Sequence, residues 1–274
     1  MKHNDLKWKA KQIRQTVLDT ALIGGKGHIP PAYSWTEIAV ALFYGGVLKF
    51  DRTNPKCGAR NKFILSKGHG CLTLYAILAD LKFFHADELQ KFARGGAMLA
   101  GHPDVGIPGI EICSGSLGHG LGVASGFAMA NKLDKLNRQT FVVLGDGECQ
   151  EGSIWEAAMF AGHNELKTLT AIVDLNGLGA TDFTRNYASL DPLKEKFVAF
   201  GWEVLSVDGH NIGELIDILN YSKGDRKSKK PCCVIANTTK GKGVSFMENS
   251  KNWHHQMPNE EQVILAKREL SRDD

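Results

Sequence analysis

Phe141-Val-Val-Leu-Gly-Asp-Gly-Glu-Cys-Gln-Glu-Gly-Ser-Ile-Trp155 and, downstream, Leu169-Thr-Ala-Ile-Val-Asp-Leu-Asn-Gly-Leu178 decide how this sequence folds. Each begins as an apolar, largely β-branched run and stops at a small polar cluster, Gly145-Asp146-Gly147 in the first and Asp174-Leu175-Asn176-Gly177 in the second. Such runs suit strands buried on both faces, and in an open α/β sheet ligands sit beyond the carboxyl ends of the strands. Further strands are predicted at Trp202 to Val207 and Cys232 to Asn237, with helical patterns near Ser153 to Leu166, Leu190 to Ala199 and Ile212 to Tyr221. This alternation predicts an α/β fold, an open, mostly parallel sheet with helices on both faces.

Upstream, apolar residues at 6, 13, 17 and 21 have helical spacing over Leu6 to Ile23, and Gly24 to Pro31 should break that helix. Ser34 or Thr36 can cap a second helix through Tyr44, with Glu37 as the capping-box partner of Ser34. Lys62 to Ser66 reads as a short strand, Ser66-Lys-Gly-His-Gly70 as the turn into a helix ending near Leu81, and Ala86 to Phe92 as another helix. Arg94 to Gly120 is a long Gly- and Pro-containing segment, and a loop of that length within a domain is usually functional. Leu121 to Leu133 is rich in Gly and Ala and should pack tightly against other backbone, while Asn259 to Arg272 reads as a charged peripheral helix.

The 274 residues fit one large domain, 1–274, better than two. With 33 Lys+Arg against 30 Asp+Glu the charge is nearly balanced, and the basic run Lys223 to Lys230 reads as a solvated loop, so no nucleic-acid partner is expected. No stretch approaches the roughly eighteen apolar residues of a membrane span and the amino terminus has no signal-like core, so no membrane role is expected. Six cysteines without a Cys-x-x-Cys pair read as reduced, in a cytoplasmic protein, with Cys232 and Cys233 on opposite strand faces.

Asn176 follows Asp146 by 30 positions, one βαβ unit, so neighbouring strands would bring both to one crevice. Asp146, the Asn176 side chain and the carbonyl of Leu178 can supply three of the six oxygens that Mg²⁺ prefers, with phosphate and water completing the set. His28, His69, His102 and His254 lie at breaks in the pattern, where convergence would give a polyhydroxylated substrate groups that trade protons near neutral pH. His3, His85, His163 and His255 read as surface or structural, and His210 as a turn residue. Ser114-Gly-Ser-Leu-Gly-His-Gly-Leu-Gly122 is a poor Rossmann fingerprint but a candidate phosphate loop or platform for a flat ring. Lys240-Gly-Lys-Gly243 follows a strand and offers cations suited to a diphosphate.

Together, Gly27-His28, Leu65-Ser-Lys-Gly-His69, Gly101-His102-Pro103, Gly115-Ser-Leu-Gly118, Gly145-Asp-Gly147 with Asn176, Lys240-Gly-Lys-Gly243 and Trp253-His254 resemble the thiamine-diphosphate domain of transketolases, in order from about residue 10 to 258. A full transketolase continues into pyrimidine-binding and C-terminal domains, so the resemblance is to the N-terminal subunit of a split transketolase. It implies the diphosphate-type domain of the thiamine-diphosphate-binding fold, with those further domains on a partner chain. Activity would be transfer of a two-carbon ketol unit from a ketose or ketose phosphate to an aldose or aldose phosphate.

Position by position, the resemblance implies that Asp146, Asn176 and the carbonyl of Leu178 hold Mg²⁺, or another divalent cation such as Ca²⁺ or Mn²⁺, on the diphosphate. Gly145, Gly147, Glu148, Lys240 and His254 join the cofactor site, Gly115, Ser116 and Leu117 line its aminopyrimidine side, and His69 serves cofactor and substrate alike. His28, His69, His102 and His254 are the implied catalytic set, and Glu151 matches a family glutamate at a subunit interface. The implied partners are sugar substrates, the C-terminal subunit of the transketolase and, within a heterotetramer, another copy of this chain. The family's glutamate that protonates the cofactor ring lies in the pyrimidine domain, so the chain alone is expected to be inactive.

The sequence departs from the family at Gly27-His28-Ile29-Pro30, where members read Gly-His-Pro-Gly, and at His119, where many have Gln. The first shifts which residue is biased to extended geometry and so bears on the placement of His28. A specialised ketol transferase or deoxyxylulose-phosphate-synthase-like subunit is the alternative within the cofactor class. Outside it stand a non-catalytic assembly or regulatory subunit and a nucleotide-binding oxidoreductase.

Overall fold

Five parallel strands form the sheet of the computed structural model, which describes residues 3–55, 57–224 and 226–271. They are β1 (Lys62–Leu65), β2 (Thr140–Gly145), β3 (Leu169–Leu175), β4 (Glu203–Asp208) and β5 (Cys232–Asn237), in the order β1-β2-β3-β5-β4. The register sets Gly145 opposite Asp174 and Leu175 opposite Asn237, so the carboxyl ends of β2, β3 and β5 finish side by side.

Helices cover both faces, as the strand alternation requires. On one face lie α1 (His3–Gly24), α3 (Thr36–Tyr44), α4 (Cys71–Asp80) and α9 (Ile212–Lys223), and on the other α5 (Gly120–Leu133), α6 (Gly152–His163) and α8 (Leu193–Ala199). Successive residues of one strand serve different cores: Phe141, Val143 and Cys232 belong to the first, Val142, Leu144 and Cys233 to the second. That is the period-two geometry expected of the cysteine pair. Ile13, Val17 and Ala21, together with Leu6, form the buried stripe of α1.

Several local expectations are corrected. The break after α1 ends at His28, because Ile29–Ser34 is a helix, α2, with prolines in its first turn, where the missing N–H costs no intrahelical bond. Trp35, not Ser34 or Thr36, is the N-cap of α3, without a side-chain cap. Glu37 instead pairs with buried Arg14, and Ser34 turns to Pro31 and Asp174, since burial makes those partners more demanding than a helix end. The segment Ala86–Lys91 is a 3₁₀ helix.

The glycines of α5 divide: Gly120 sits on Ser66, but a Cβ at Gly122 or Gly126 would meet nothing in this chain. Tight packing is therefore carried by Gly120 and the buried Leu121, Ala124 and Ala128, and not by Gly122 or Gly126. Within the basic run, Arg226 is buried and bonded to Glu203 and to the carbonyls of Lys167 and Lys230, so this member is structural rather than solvated. A short helix, α7 (Thr184–Tyr187), precedes the cis Asp191-Pro192 bond, and α10 (Glu260–Leu270) is capped by a capping box at Asn259 and Gln262. Ala266 and Leu270 bury against the α1 side, while Arg272 lies outside the described residues. No helix among the described residues is long and apolar enough to cross a membrane.

Candidate functional site

The polar clusters after β2 and β3 meet as the register demands. Asp146 is buried, its Oδ1 accepting the Gly147 N–H at 2.9 Å and its Oδ2 the Gly177 N–H at 2.6 Å. Asn176 turns back on itself, Oδ1 accepting from the Leu178 N–H at 3.1 Å, and the Leu178 carbonyl accepts no hydrogen bond among the described residues. All three face a cavity of about 400 Å³. Burial pushes the Asp146 carboxyl up to about 6, the Asp174 charge adds to the rise, and the Gly177 and Gly147 N–H groups oppose it. A cation would relieve that crowding, and a carboxylate, an amide and a carbonyl make a hard oxygen set that fits Mg²⁺. No group of three or more His, Cys, Asp or Glu among the described residues is placed to hold a metal, so the set is unlike a zinc site.

Beneath this corner lies a buried ion pair for which the sequence pattern offers no role. Lys67 and Asp174 are bonded to each other, with Lys67 also donating to the Pro31 carbonyl at 3.0 Å and reaching Ser34 Oγ at 3.3 Å. Asp174 further accepts from Ser34 and Thr238, and although burial pushes its pKa up, the Lys67 ammonium and the hydrogen bonds from Lys67, Ser34 and Thr238 together hold it below the usual range. The pair ties β1, α2, β3 and the exit of β5 into one floor. Lys240 stands on that floor, buried, its Nζ donating to the Gly179 carbonyl at 2.6 Å and to His254 Nδ1 at 2.8 Å. Burial first, then Lys67, lower it to about 8. Of these two lysines, Lys240 thus faces the oxygen corner without a carboxylate of its own, while Lys67 is neutralised.

The four expected histidines converge. His28 is the hub, its ring centroid 5.7 Å from His69, 5.9 Å from His102 and 5.2 Å from His254, with His69 and His254 5.6 Å apart. The displaced proline has not removed His28 from the cluster: it is the N-cap of α2, aimed by Gly27, whose φ of +145° and closeness to Leu72 exclude a side chain. His102 is anchored through its own carbonyl by Tyr75 and packs against Gly115, where a Cβ would come within 2.9 Å of the ring. Burial, helped by His255 for His28 and by Lys240 for His254, lowers these two to about 4 and about 3. Burial and Lys67 hold His69 well below its ordinary value, and partial desolvation lowers His102. All four are therefore neutral near pH 7. The side chains of His28, His69 and His102 make no hydrogen bond among the described residues, which leaves their ring nitrogens for a ligand.

The glycine loop forms the far wall. Glu148 accepts from Ser66 Oγ, the Gly118 N–H at 3.0 Å and the Gly145 N–H at 3.1 Å, and Ser66 Oγ accepts from the Gly120 N–H at 3.1 Å. Glu148 lines the cavity but is committed to holding the loop. Gly115, Leu117, Gly145, Gly147 and Glu151 line it as well. Ser116 and His119 are exposed and outside the lining. Sequence reasoning missed Lys67 and Tyr187, whose hydroxyl closes on Gly179; His255 is exposed, as expected, and outside the lining, yet its ring lies 4.6 Å from His28. Nothing in the local pattern marks Tyr187; the doubled histidine was the available signal for His255.

The family described as "Transketolase, thiamine diphosphate binding domain" matches residues 6–274. The chain is 37% identical over 271 residues to an apulose-4-phosphate transketolase subunit of Phocaeicola vulgatus, covering 99% of this chain and 95% of the relative. It is 39% identical over 270 residues to "6-deoxy-6-sulfo-D-fructose transketolase subunit SqwG" of a Clostridium species, covering 98% and 97%. The crystal structure of transketolase from Campylobacter jejuni superposes with a TM-score of 0.92 at 31% identity, covering all of this chain but 44% of the other. The chain thus spans less than half of that solved enzyme and nearly the full length of the two subunits.

Proposed function

We propose, from the premise that this chain belongs to the transketolase family, that it is the N-terminal subunit of a split transketolase moving a two-carbon ketol unit from a ketose donor to an aldose acceptor. The observation that carries this reading is the convergence, in one cavity, of an oxygen corner (Asp146, Asn176, Leu178), a buried cation without a carboxylate partner (Lys240) and four neutral imidazoles.

In this reading Asp146, Asn176 and the Leu178 carbonyl hold Mg²⁺, or Ca²⁺ or Mn²⁺ in its place, while Lys240 and the Gly147 backbone take the diphosphate. Held by these oxygens, a cation would anchor and position the diphosphate. Bound thiamine diphosphate supplies the carbon nucleophile and electron sink. The chain's own residues do the rest. Gly115 and Leu117 present a flat wall to a ring, Glu148 keeps that wall in place, and His254 is oriented by Lys240. His28, His69 and His102 surround the sugar oxygens, and a neutral imidazole there takes a hydroxyl proton as the carbon–carbon bond breaks and returns it when the acceptor is joined.

Two relatives are named as subunits, which supports a second chain carrying the pyrimidine-binding domain and its activating glutamate. A second copy of this chain would dock on α5 and α6. Their outer face continues from exposed Glu151 and carries open Gly122 and Gly126 beside exposed Val123, Met159 and Phe160. A cytoplasmic setting accords with six free cysteines. The sugars named in those two relatives, a phosphate and a sulfonate, favour a specialised ketol transferase over a general one.

The test is co-purification with the product of the neighbouring reading frame, followed by a panel of ketoses and aldoses with thiamine diphosphate and Mg²⁺. Turnover is expected from the pair and none from this chain by itself. Activity of the lone chain would overturn the split assignment, and an inactive pair on every sugar would overturn the ketol-transfer reading.

A further inference from the structure

We infer that His255 is a fifth imidazole of the sugar site, contacting the end of the substrate that trails towards solvent. This rests on the proposed ketol-transfer function. His255 stands directly after His254, and the segment is pinned on both sides: Trp253 is buried against Phe246 at 5.0 Å between ring centroids, and Pro258 is buried. Between these anchors the two histidines diverge. His254 turns inward to Lys240, while His255 stays exposed and meets His28 at 4.6 Å, closer than any other ring pair in the cluster.

Lys240, His254, His28 and His255 therefore form a path from the buried floor to the rim. The reacting carbonyl of a sugar must lie among the inner rings, so the chain beyond it runs outward past His28. His255 is the exposed side chain packed against His28, just outside the cavity's own lining. Among the described residues it makes no hydrogen bond, so both ring nitrogens remain for the oxygens of a hydroxyl or of a terminal phosphate or sulfonate. The proximity is felt within the protein as well. His28 faces His69, His102, His254, Lys67 and Lys240, and after burial itself His255 is the neighbour that depresses it most.

The experiment uses the two-subunit complex with His255→Ala and His255→Gln. For His255→Ala the KM of the acceptor aldose is expected to rise about three- to tenfold with kcat within about twofold, the size of one lost hydrogen bond. Gln, which keeps a donor and an acceptor, should recover part of the loss. Running an aldopentose 5-phosphate beside the unphosphorylated aldopentose separates the sources: a rise confined to the phosphate assigns the contact to the terminal anion, and a rise for both assigns it to a hydroxyl. Independently of turnover, NMR titration of the His28 Cε1 proton in this chain should give a higher midpoint in His255→Ala. Unchanged KM for both aldoses would overturn the inference, as would an unmoved His28 midpoint. An inactive wild-type complex would instead count against the ketol-transfer reading, and the His28 titration would then report only whether His255 lies against His28.

Discussion

The two ends of the cavity are built on opposite terms. At the floor, Asp146, Asn176 and Lys240 are already engaged with backbone or side-chain partners, over the buried Lys67–Asp174 pair. At the mouth, the rings of His28, His69 and His102 are gathered by packing, with no hydrogen bond of their own among the described residues. The floor is thus pre-organised for one charged group, which lowers the ordering cost of binding. The mouth is kept neutral and uncommitted, which suits groups that exchange protons with a succession of hydroxyls. One region selects what is held permanently, and the other serves what passes through.

That contrast can be broken most sharply at Asp146. Asp146→Ala should cost on the order of a thousandfold in cation-dependent cofactor affinity, since even residues behind a metal ligand cost 10–100-fold, while circular dichroism shows the fold intact. Unchanged affinity by calorimetry would remove the metal assignment. At the mouth, His102→Ala should lower turnover of the two-subunit complex by about a hundredfold or more, the scale of one acid–base group, while cofactor affinity stays within about threefold. Equal losses in both would mean that floor and mouth are not separate in function.

The smallest effect concerns acid. His28 and His254 are depressed from 6.5 to about 4 and about 3, so between 6.5 and those values the unfolded chain binds more protons than the folded one. Stability is then complete above pH 6.5 and is lost as pH falls through that window. The cofactor-free chain should melt roughly 5 °C lower at pH 5 than at pH 7, and His28→Asn with His254→Asn should flatten the difference. A slope unchanged by the two substitutions would show that the mouth is not the seat of the acid sensitivity.

Much of this was legible in sequence for identifiable reasons. Strands β2, β3 and β5 are buried on both faces, so their apolar runs stand out, and the 30-residue spacing from Asp146 to Asn176 is one βαβ unit in a parallel sheet. The errors fell where a long-range partner overrode a local rule. Glu37 looked like a capping residue, but a carboxylate buried beside Arg14 and His210 is more stable paired than capping a helix. Glu148, by contrast, does line the cavity, with its oxygens used by Ser66, Gly118 and Gly145.

By itself the sequence determined the sheet, its polarity and the residue types at its carboxyl edge, because burial imposes periodicity and spacing along the chain. Only the tertiary structure decided which groups are free to act. Whether a lysine is neutralised, as Lys67 is by Asp174, or available, as Lys240 is, depends on residues more than a hundred positions away in the first case and on a floor assembled from four elements in the second. The same holds for His255, whose nearest ring belongs to the far end of the chain. No local pattern encodes such distances; they arise when packing closes the sheet.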